Sequence, residues 1–388
     1  MKRGALLAAA LLAGAATQAA SWRVTLLVPA NDERLTRARL ERGALGHPGG
    51  PVTDALKIAV GEGQAELPDG SKLTLDVVEV ADAAAAGAAA GKAEKAGALA
   101  LLADLPAAWT LAAADAAAKT PMLNVGNAAD ALREAQCRAN LWHFTPSDRM
   151  KSDALAQTLV ARRWTQVLVL AGPSEIDRAR AATAQASAKR YGLKVVATRP
   201  FKLSADPRER DLANPLLLTG AAAASAYDAV WVIDSDGEFA ATLPYRTALP
   251  RPVVGDGGLV AVAWSPKFDR YGALQVTRRL QKTVGRPMGA HDWPAYVAGR
   301  ALIGAIITAP KGPLPALQRA LADGDVDASK GVLMSLRPWD GQLRQPVLLT
   351  DGQSVVAMAP GDGVLHPKNT LDTLGADAPE KLCAVRTK

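Results

Sequence analysis

The residues with the most chemical potential come early. After a short apolar run over 24–28 the chain reads PANDERLTRARLERGALGHPGGP, and a helix-like pattern begins only at Val52. Arg34, Arg37, Arg39, Arg42 and His47 therefore follow a strand, the place where α/β proteins bind ligands. A nucleotide binder would carry a glycine-rich phosphate loop there. Arginine forks instead match carboxylates bidentately. Segments that follow other apolar runs add Asp104, Trp109, Asn124, Asn127, Arg149, Lys151, Asp234, His291 and Trp293 as candidate ligand contacts. Cations exceed acids in that set, which suits an anionic solute, and tryptophan faces suit a flat one. The Lys151 amine could also add reversibly to a carbonyl.

Simpler roles compete with these. At about 100° per residue, four arginines at 34, 37, 39 and 42 spread around much of a helix and cannot all face one pocket. Asp292 at a helix start is a natural cap, with Trp293 packed beneath, and Asp234 and Asp236 could cap the next helix. Trp164 and Trp231, beside apolar runs, read as core, and His143 and His366 read as structural. No G-x-S-x-G elbow, zinc-ligand pair or Walker loop is present, so the sequence reads as a binding protein and not an enzyme, with no metal site.

The elements that would hold these residues alternate. Apolar runs such as WRVTLLVP, KLTLDVVEV, ALALLAD and PMLNVG read as strands, separated by helix-like runs at 52–63, 82–96 and 106–120. Repeated βα implies a parallel sheet covered by helices on both faces. A second series follows: TQVLVLAG, LKVVATRPF, YDAVWVID and RPVVGD as strands, with helices over 147–163, 174–191 and 208–225. Helices at 267–284 and 292–309 and the short strands GVLMSLRPW, RQPVLLT and SVVAMAP complete the chain. The expected fold class is α/β, two doubly wound parallel-sheet lobes joined by a three-strand hinge near residues 144, 256 and 337. The lobes are expected over 21–143 plus about 257–336, and over 144–256 plus about 337–388. The loops at 30–51, 104–109, 124–130, 145–151, 172–177, 234–238 and 255–264 should line the cleft between them, with Trp142 close by.

The first twenty residues, MKRGALLAAALLAGAATQAA, have a basic start, a short apolar middle and a small-residue end, the layout of a secretory signal peptide. Forty-five Lys and Arg against 38 Asp and Glu give +7, and removing Lys2 and Arg3 leaves +5. That mild, interspersed excess gives no nucleic-acid footprint and, with no long apolar stretch, no membrane insertion is expected. Cys137 and Cys383 are the only cysteines. In an oxidising compartment they are expected to form one disulfide.

The order of elements, the first helix GPVTDALKIAVGEG and the passage FTPSDRMKSDALAQTLV resemble the type I periplasmic substrate-binding proteins, the branched-chain amino-acid-like receptors of ABC importers. The resemblance spans essentially the whole mature chain. It implies a periplasmic, monomeric receptor working with an ABC permease and ATPase. The segments RLERGALGHPGGPVTDALK, GAHDWPAYVAGRALIGAI and LRPWDGQLRQPVLL resemble a narrower subfamily, associated with PQQ-dependent (quinoprotein) alcohol dehydrogenase systems. That narrower resemblance implies pyrroloquinoline quinone (PQQ), a flat tricarboxylate, as ligand, and a quinoprotein dehydrogenase as a further partner. Two departures stand out: the usual first loop is shorter and lacks the arginines, and a hydroxyl-rich cluster expected near 124–128 reads NVGNAA, which weakens amino-acid binding. An amino-acid or amide receptor, and a sensory or partner-binding protein, are the alternative readings.

Overall fold

The computed structural model describes residues 20–68, 70–204, 206–212, 215–220 and 227–386. The expected signal peptide, apart from Ala20, lies outside them, as does part of the helix expected over 208–225.

Two parallel sheets carry the architecture. The first has order β2-β1-β3-β4-β5, from β1 (Ser21–Pro29), β2 (Lys72–Val80), β3 (Ala100–Ala103), β4 (Met122–Asn124) and β5 (Leu141–His143). The second has order β7-β6-β8-β9, from β6 (Gln166–Ala171), β7 (Lys194–Pro200), β8 (Ala229–Ile233) and β9 (Val253–Gly255). Central strands such as ALLA in β3 and AVWVI in β8 are buried at every position. They are covered by helices on both faces, which is why they read as unbroken apolar runs instead of alternating ones.

The helices are α1 (Arg37–Arg42), α2 (Val52–Gln64), α3 (Ala83–Lys95), α4 (Ala107–Ala116), α5 (Asp148–Ala161), α6 (Glu175–Arg190), α7 (Pro207–Leu212), α8 (Pro215–Leu218), α9 (Glu238–Thr242), α10 (Ala273–Val284), α11 (Asp292–Thr308) and α12 (Leu314–Asp323). The alanine-rich α3 turns Ala86, Ala90 and Ala93 inward and packs closely on α4. Small side chains at that spacing let two helix backbones approach. Helices α10 and α11 return to the first lobe, where Trp264, Trp293 and Leu302 share one core with Leu26, Leu56 and Leu102. The core of the second lobe joins α5 and α6 to β6 and β8.

Several expectations shift. The first loop is not featureless, because α1 forms within it and stops at Gly43, whose φ of 58° suits a residue without a Cβ. The helix expected from 267 begins only at Ala273, after Tyr271 and Gly272 adopt positive φ. The expected strand GVLMSLRPW shrinks to β12 (Leu333–Met334), paired with β11 (Val326–Asp327).

Between the lobes lies an antiparallel ribbon of β10 (Val260–Val262), β13 (Val347–Thr350) and β14 (Val355–Ala359). Side chains alternate across a strand, and here alternate residues serve different lobes. Val260, Val262 and Leu348 join the first core, while Ala261, Val347 and Leu349 join the second. Two glutamines lace the crossings together. Gln342 Nε2 donates to the carbonyls of His143 and Thr145, and Gln345 Nε2 donates to that of Phe144.

Cys137 and Cys383 form the expected disulfide. The terminal segment packs first on the second lobe, through Tyr191 and Gln157 against Thr373. It then reaches the edge of the first sheet, where Arg386 donates to the carbonyls of Ala139 and Leu141 and lies 3.9 Å over the Trp142 ring. Among the described residues no helix is long and apolar enough to cross a membrane.

Candidate functional site

A cleft of about 530 Å³ opens where the carboxyl ends of both sheets converge. The first lobe supplies Arg34, Arg39, His47, Asn127 and His291, and the second supplies Arg180, Trp231, Ile233, Ser235 and Asp256. The start of α5 adds Asp148, Lys151, Ser152 and Leu155, and the face of β10 adds Val260 and Val262. The volume lies within the range of small-molecule sites.

The arginines of the first loop are already engaged. Arg34 places Nε and Nη2 on Asp32 at 2.8 and 2.7 Å, and Nη1 and Nη2 on Asp104 at 2.9 and 3.0 Å. Asp104 also meets His291 Nε2 at 2.9 Å. Burial alone would raise the Asp104 carboxyl, but His291 and Arg34 hold it well below the usual carboxylate range. Gly126 is obligatory beside it, since a Cβ there would stand 1.7 Å from Asp104 Oδ1. Arg39 and Arg42 both reach Asp236 on the other lobe. Arg37 is 90% exposed, pairs among the described residues only with Glu41 on its own helix, and does not line the cleft.

Arg180 holds Asp256 bidentately at 2.9 and 2.7 Å and stands 3.5 Å from Asp148. Lys151 differs from these: among the described residues its ammonium makes one ion pair, to Asp148 at 3.7 Å, and no hydrogen bond. Burial lowers its pKa despite the attraction of Asp148. His47 is likewise lowered, first by burial, with Asp256 and Asp236 opposing and Arg180 and Arg39 reinforcing.

Other candidates have structural work. Trp109 is half-buried and packs against the core of the first lobe that holds Leu105, Ala113 and the alanines of α3, and it does not line the cleft. Asn124 is buried and donates to the Asn127 carbonyl and to His143 Nδ1. Asn127 lines the cleft, but its side chain accepts from Ala129 N and donates to the Leu105 carbonyl. Arg149 forms a bidentate pair with Glu380 of the terminal segment. Asp234 is fully buried and accepts from the amide of Asp236 and from that of Ala240 in the first turn of α9, whose N-cap position is held by Gly237. Trp293 stacks on Trp264 at 5.9 Å beneath the Lys330 ammonium. Trp142 serves Arg386. Of the proposed contacts, Arg34, Arg39, His47, Asn127, Lys151 and His291 meet at the cleft.

Sequence reasoning passed over Trp231, Asp148, Arg180 and Asp256. Trp231 was assigned to the core and is indeed buried, yet it also forms part of the cleft wall. Ile233 lies two residues on and lines the same cavity, so the period-2 rule applied to AVWVID was the available signal. Arg180 and Asp256 lie 76 residues apart, and nothing local links them.

His143 gives a pH test of the region. It is completely buried beside Asn124, whose amide donates to Nδ1, so the ring must remain neutral with its proton on Nε2. Burial first, then Arg133 and Arg386, drives its pKa well down. The unfolded chain takes up this proton near pH 6.5, while the folded chain resists. The stabilisation is therefore complete above about pH 6.5 and is lost as pH falls below it. Asp153 and Glu134, pushed by burial up to about 6, act oppositely, since the folded state binds their protons first. Replacing His143 by Gln should therefore raise the urea midpoint at about pH 4–5 relative to that at about pH 7 by more than in the unaltered protein, because the opposing His143 contribution is gone. An identical pH profile in both proteins would show that His143 is not held neutral.

No protein-family model matches the chain, and no curated protein matches it in sequence. Solved structures do match. A periplasmic binding protein from Burkholderia mallei is 16% identical over 94% of this chain and 98% of its own, with a TM-score of 0.69. A solute-binding protein of an ABC transporter from Rhodopseudomonas palustris, in complex with 3,4-dihydroxybenzoic acid, is 14% identical over 85% and 92%, with a TM-score of 0.65. A leucine-, isoleucine-, valine-, threonine- and alanine-binding protein from Brucella ovis, in its closed conformation, is 14% identical over 85% and 89%, with a TM-score of 0.69. The two lobes described above thus share the fold of the type I periplasmic binding proteins.

Proposed function

We propose that this chain is the periplasmic solute-binding component of an ABC import system, a binding protein and not an enzyme, and that its cleft receives a small planar monocarboxylate. The observation that carries the reading is the Lys151 ammonium, which lines the cleft and among the described residues has no hydrogen-bonded carboxylate, while Arg34 and Arg180 are each held bidentately by acids of the protein and Arg39 is paired with Asp236. One cation with spare donors suits one carboxylate. The walls of Trp231, Leu155, Val260 and Val262 suit a flat apolar body. Fold relatives bound to 3,4-dihydroxybenzoic acid and to benzoate agree with that chemistry. The receptor would consist of one lobe over 21–143 with about 257–336 and another over 144–256 with about 337–388, and would deliver its solute to a permease and ATPase.

PQQ is the second reading, favoured by the sequence segments named above. It presents three carboxylates, and the paired arginines leave its extra charges without partners. It should therefore bind no more tightly than an aromatic monocarboxylate. Calorimetric titration with benzoate, 3,4-dihydroxybenzoate, leucine and PQQ tests both readings. The aromatic monocarboxylates should bind and quench tryptophan emission. Lys151→Met should weaken them by roughly tenfold to a hundredfold, as expected for one charge-assisted hydrogen bond. Tight PQQ binding would favour the second reading. Leucine binding unaffected by Lys151→Met would remove the first.

A further inference from the structure

The arginines that bind no solute in this account still need a role, and their partners supply one. Segment 30–51 leaves the first lobe, yet Arg39 Nη2 lies 2.9 Å from Asp236 Oδ2 on the second. Arg42 Nη1 donates to both the side chain and the backbone carbonyl of Asp236, and its Nη2 lies 3.5 Å from Glu238. These contacts join residues 194 to 197 positions apart. Nearby, Ala44 and His47 press on Gly237: a Cβ there would come within 3.0 Å of Ala44 Cβ and 3.4 Å of His47 Nε2, and φ is already +81°. The Asp236 side chain has no bond to its own lobe among the described residues. Only its amide does, to Asp234 Oδ1.

We propose that segment 30–51 is a latch across the mouth of the cleft, with Asp236 as the positioning residue that Arg39 and Arg42 grip to hold the lobes together. Arg34 anchors the root of the latch through Asp32 and Asp104, and Gly237 leaves room for its tip. The grip sits at the solvent edge, with Arg39, Arg42 and Asp236 each about one quarter to one third exposed. It is therefore weak enough to release and is screened by salt. Solute binding and closure would be linked through it: a protein that closes less readily shows a lower apparent affinity in proportion to the closed fraction lost.

The test needs no solute, so its outcome is independent of what the cleft binds. Small-angle scattering of the full mature protein should give a larger radius of gyration for Asp236→Ala than for the unaltered chain. Asp236→Glu, which keeps the carboxylate, should restore most of the compactness. Raising sodium chloride to about 0.5 M, where screening is strong, should expand the unaltered protein and leave Asp236→Ala unchanged. Hydrogen exchange of Gly237 and its neighbours should quicken about tenfold with the variant, as loss of two partly exposed ion pairs implies. Arg42→Ala, which lies outside the cleft lining, should reproduce the expansion and serves if Asp236→Ala misfolds. Equal radii for all these proteins at both salt concentrations would overturn the latch.

Discussion

Replacing Arg337 with Met should destabilise the protein by about 3–5 kcal/mol, the cost typical of stripping one partner from a buried ion pair. Arg337 is completely buried where the last crossing leaves the hinge. Its Nε donates to Asp372 at 2.9 Å, and its Nη2 donates to the carbonyls of Leu371 and Leu374 at 2.7 and 2.8 Å. Methionine fills similar volume but takes the donor from the Leu374 carbonyl, at the expense of about 1–3 kcal/mol, and leaves the Leu371 carbonyl with only the Leu374 amide at 3.3 Å. Asp372 would keep Arg344 at 2.8 Å, which limits the damage on that side. Arg337→Lys should recover little, since a point ammonium cannot serve a carboxylate and two carbonyls lying in different directions. Urea denaturation measures the loss, and hydrogen exchange over 371–376 locates it. A midpoint within experimental error of the unaltered protein would show that the fork is dispensable.

Removing the disulfide should have the next largest effect. Cys137 and Cys383 are 246 positions apart, and the chain-entropy treatment sets a ceiling of about 5 kcal/mol for so long a loop, with about 2–4 kcal/mol usual in practice. The bond also fixes the chain end beside the first sheet, where Arg386 caps two carbonyls. The oxidised protein should contain no free thiol when denatured without reductant. Cys137→Ser/Cys383→Ser should lose about 2–4 kcal/mol and expose the segment after Leu374 to protease while the lobes remain folded. Unchanged stability together with an uncut tail would mean that the noncovalent contacts alone hold the terminus.

The strands of both sheets were legible because burial on two faces leaves a strong mark on sequence. ALALLAD and YDAVWVID could hardly be anything else, and each led into a helix. The disulfide was legible because only two cysteines exist. The site was half legible. His47, Lys151 and His291 line the cleft because they follow strands or open helices at the carboxyl ends of the sheets. The fate of the arginines was not legible. Arg34 meets Asp104 across 70 positions and Arg39 meets Asp236 across 197, so a cation excess within the loop said nothing of the acids waiting elsewhere. Trp109 and Trp293 stood as candidate ligand contacts, Trp293 equally as a ring packed beneath a cap; a large apolar ring at a helix start is readily drawn inward, and Trp293 lies in the core while Trp109, half-buried, packs against one. Asp234, read as a possible cap or ligand contact, accepts from the Ala240 amide in the first turn of α9, although Gly237 holds the N-cap position.

The hinge ribbon sets a rule about chain length. Along β13, Val347 and Leu349 fill one core and Leu348 fills the other, so inserting or deleting a single residue there would send each side chain to the wrong lobe. Both cores would be mispacked at once, although nothing outside the ribbon had changed. The ladder between β13 and β14 does slip register, but only between Leu349 and Thr350, after the last residue that β13 contributes to either core. Substitutions of like size should therefore be tolerated along this ribbon, whereas changes in its length should not.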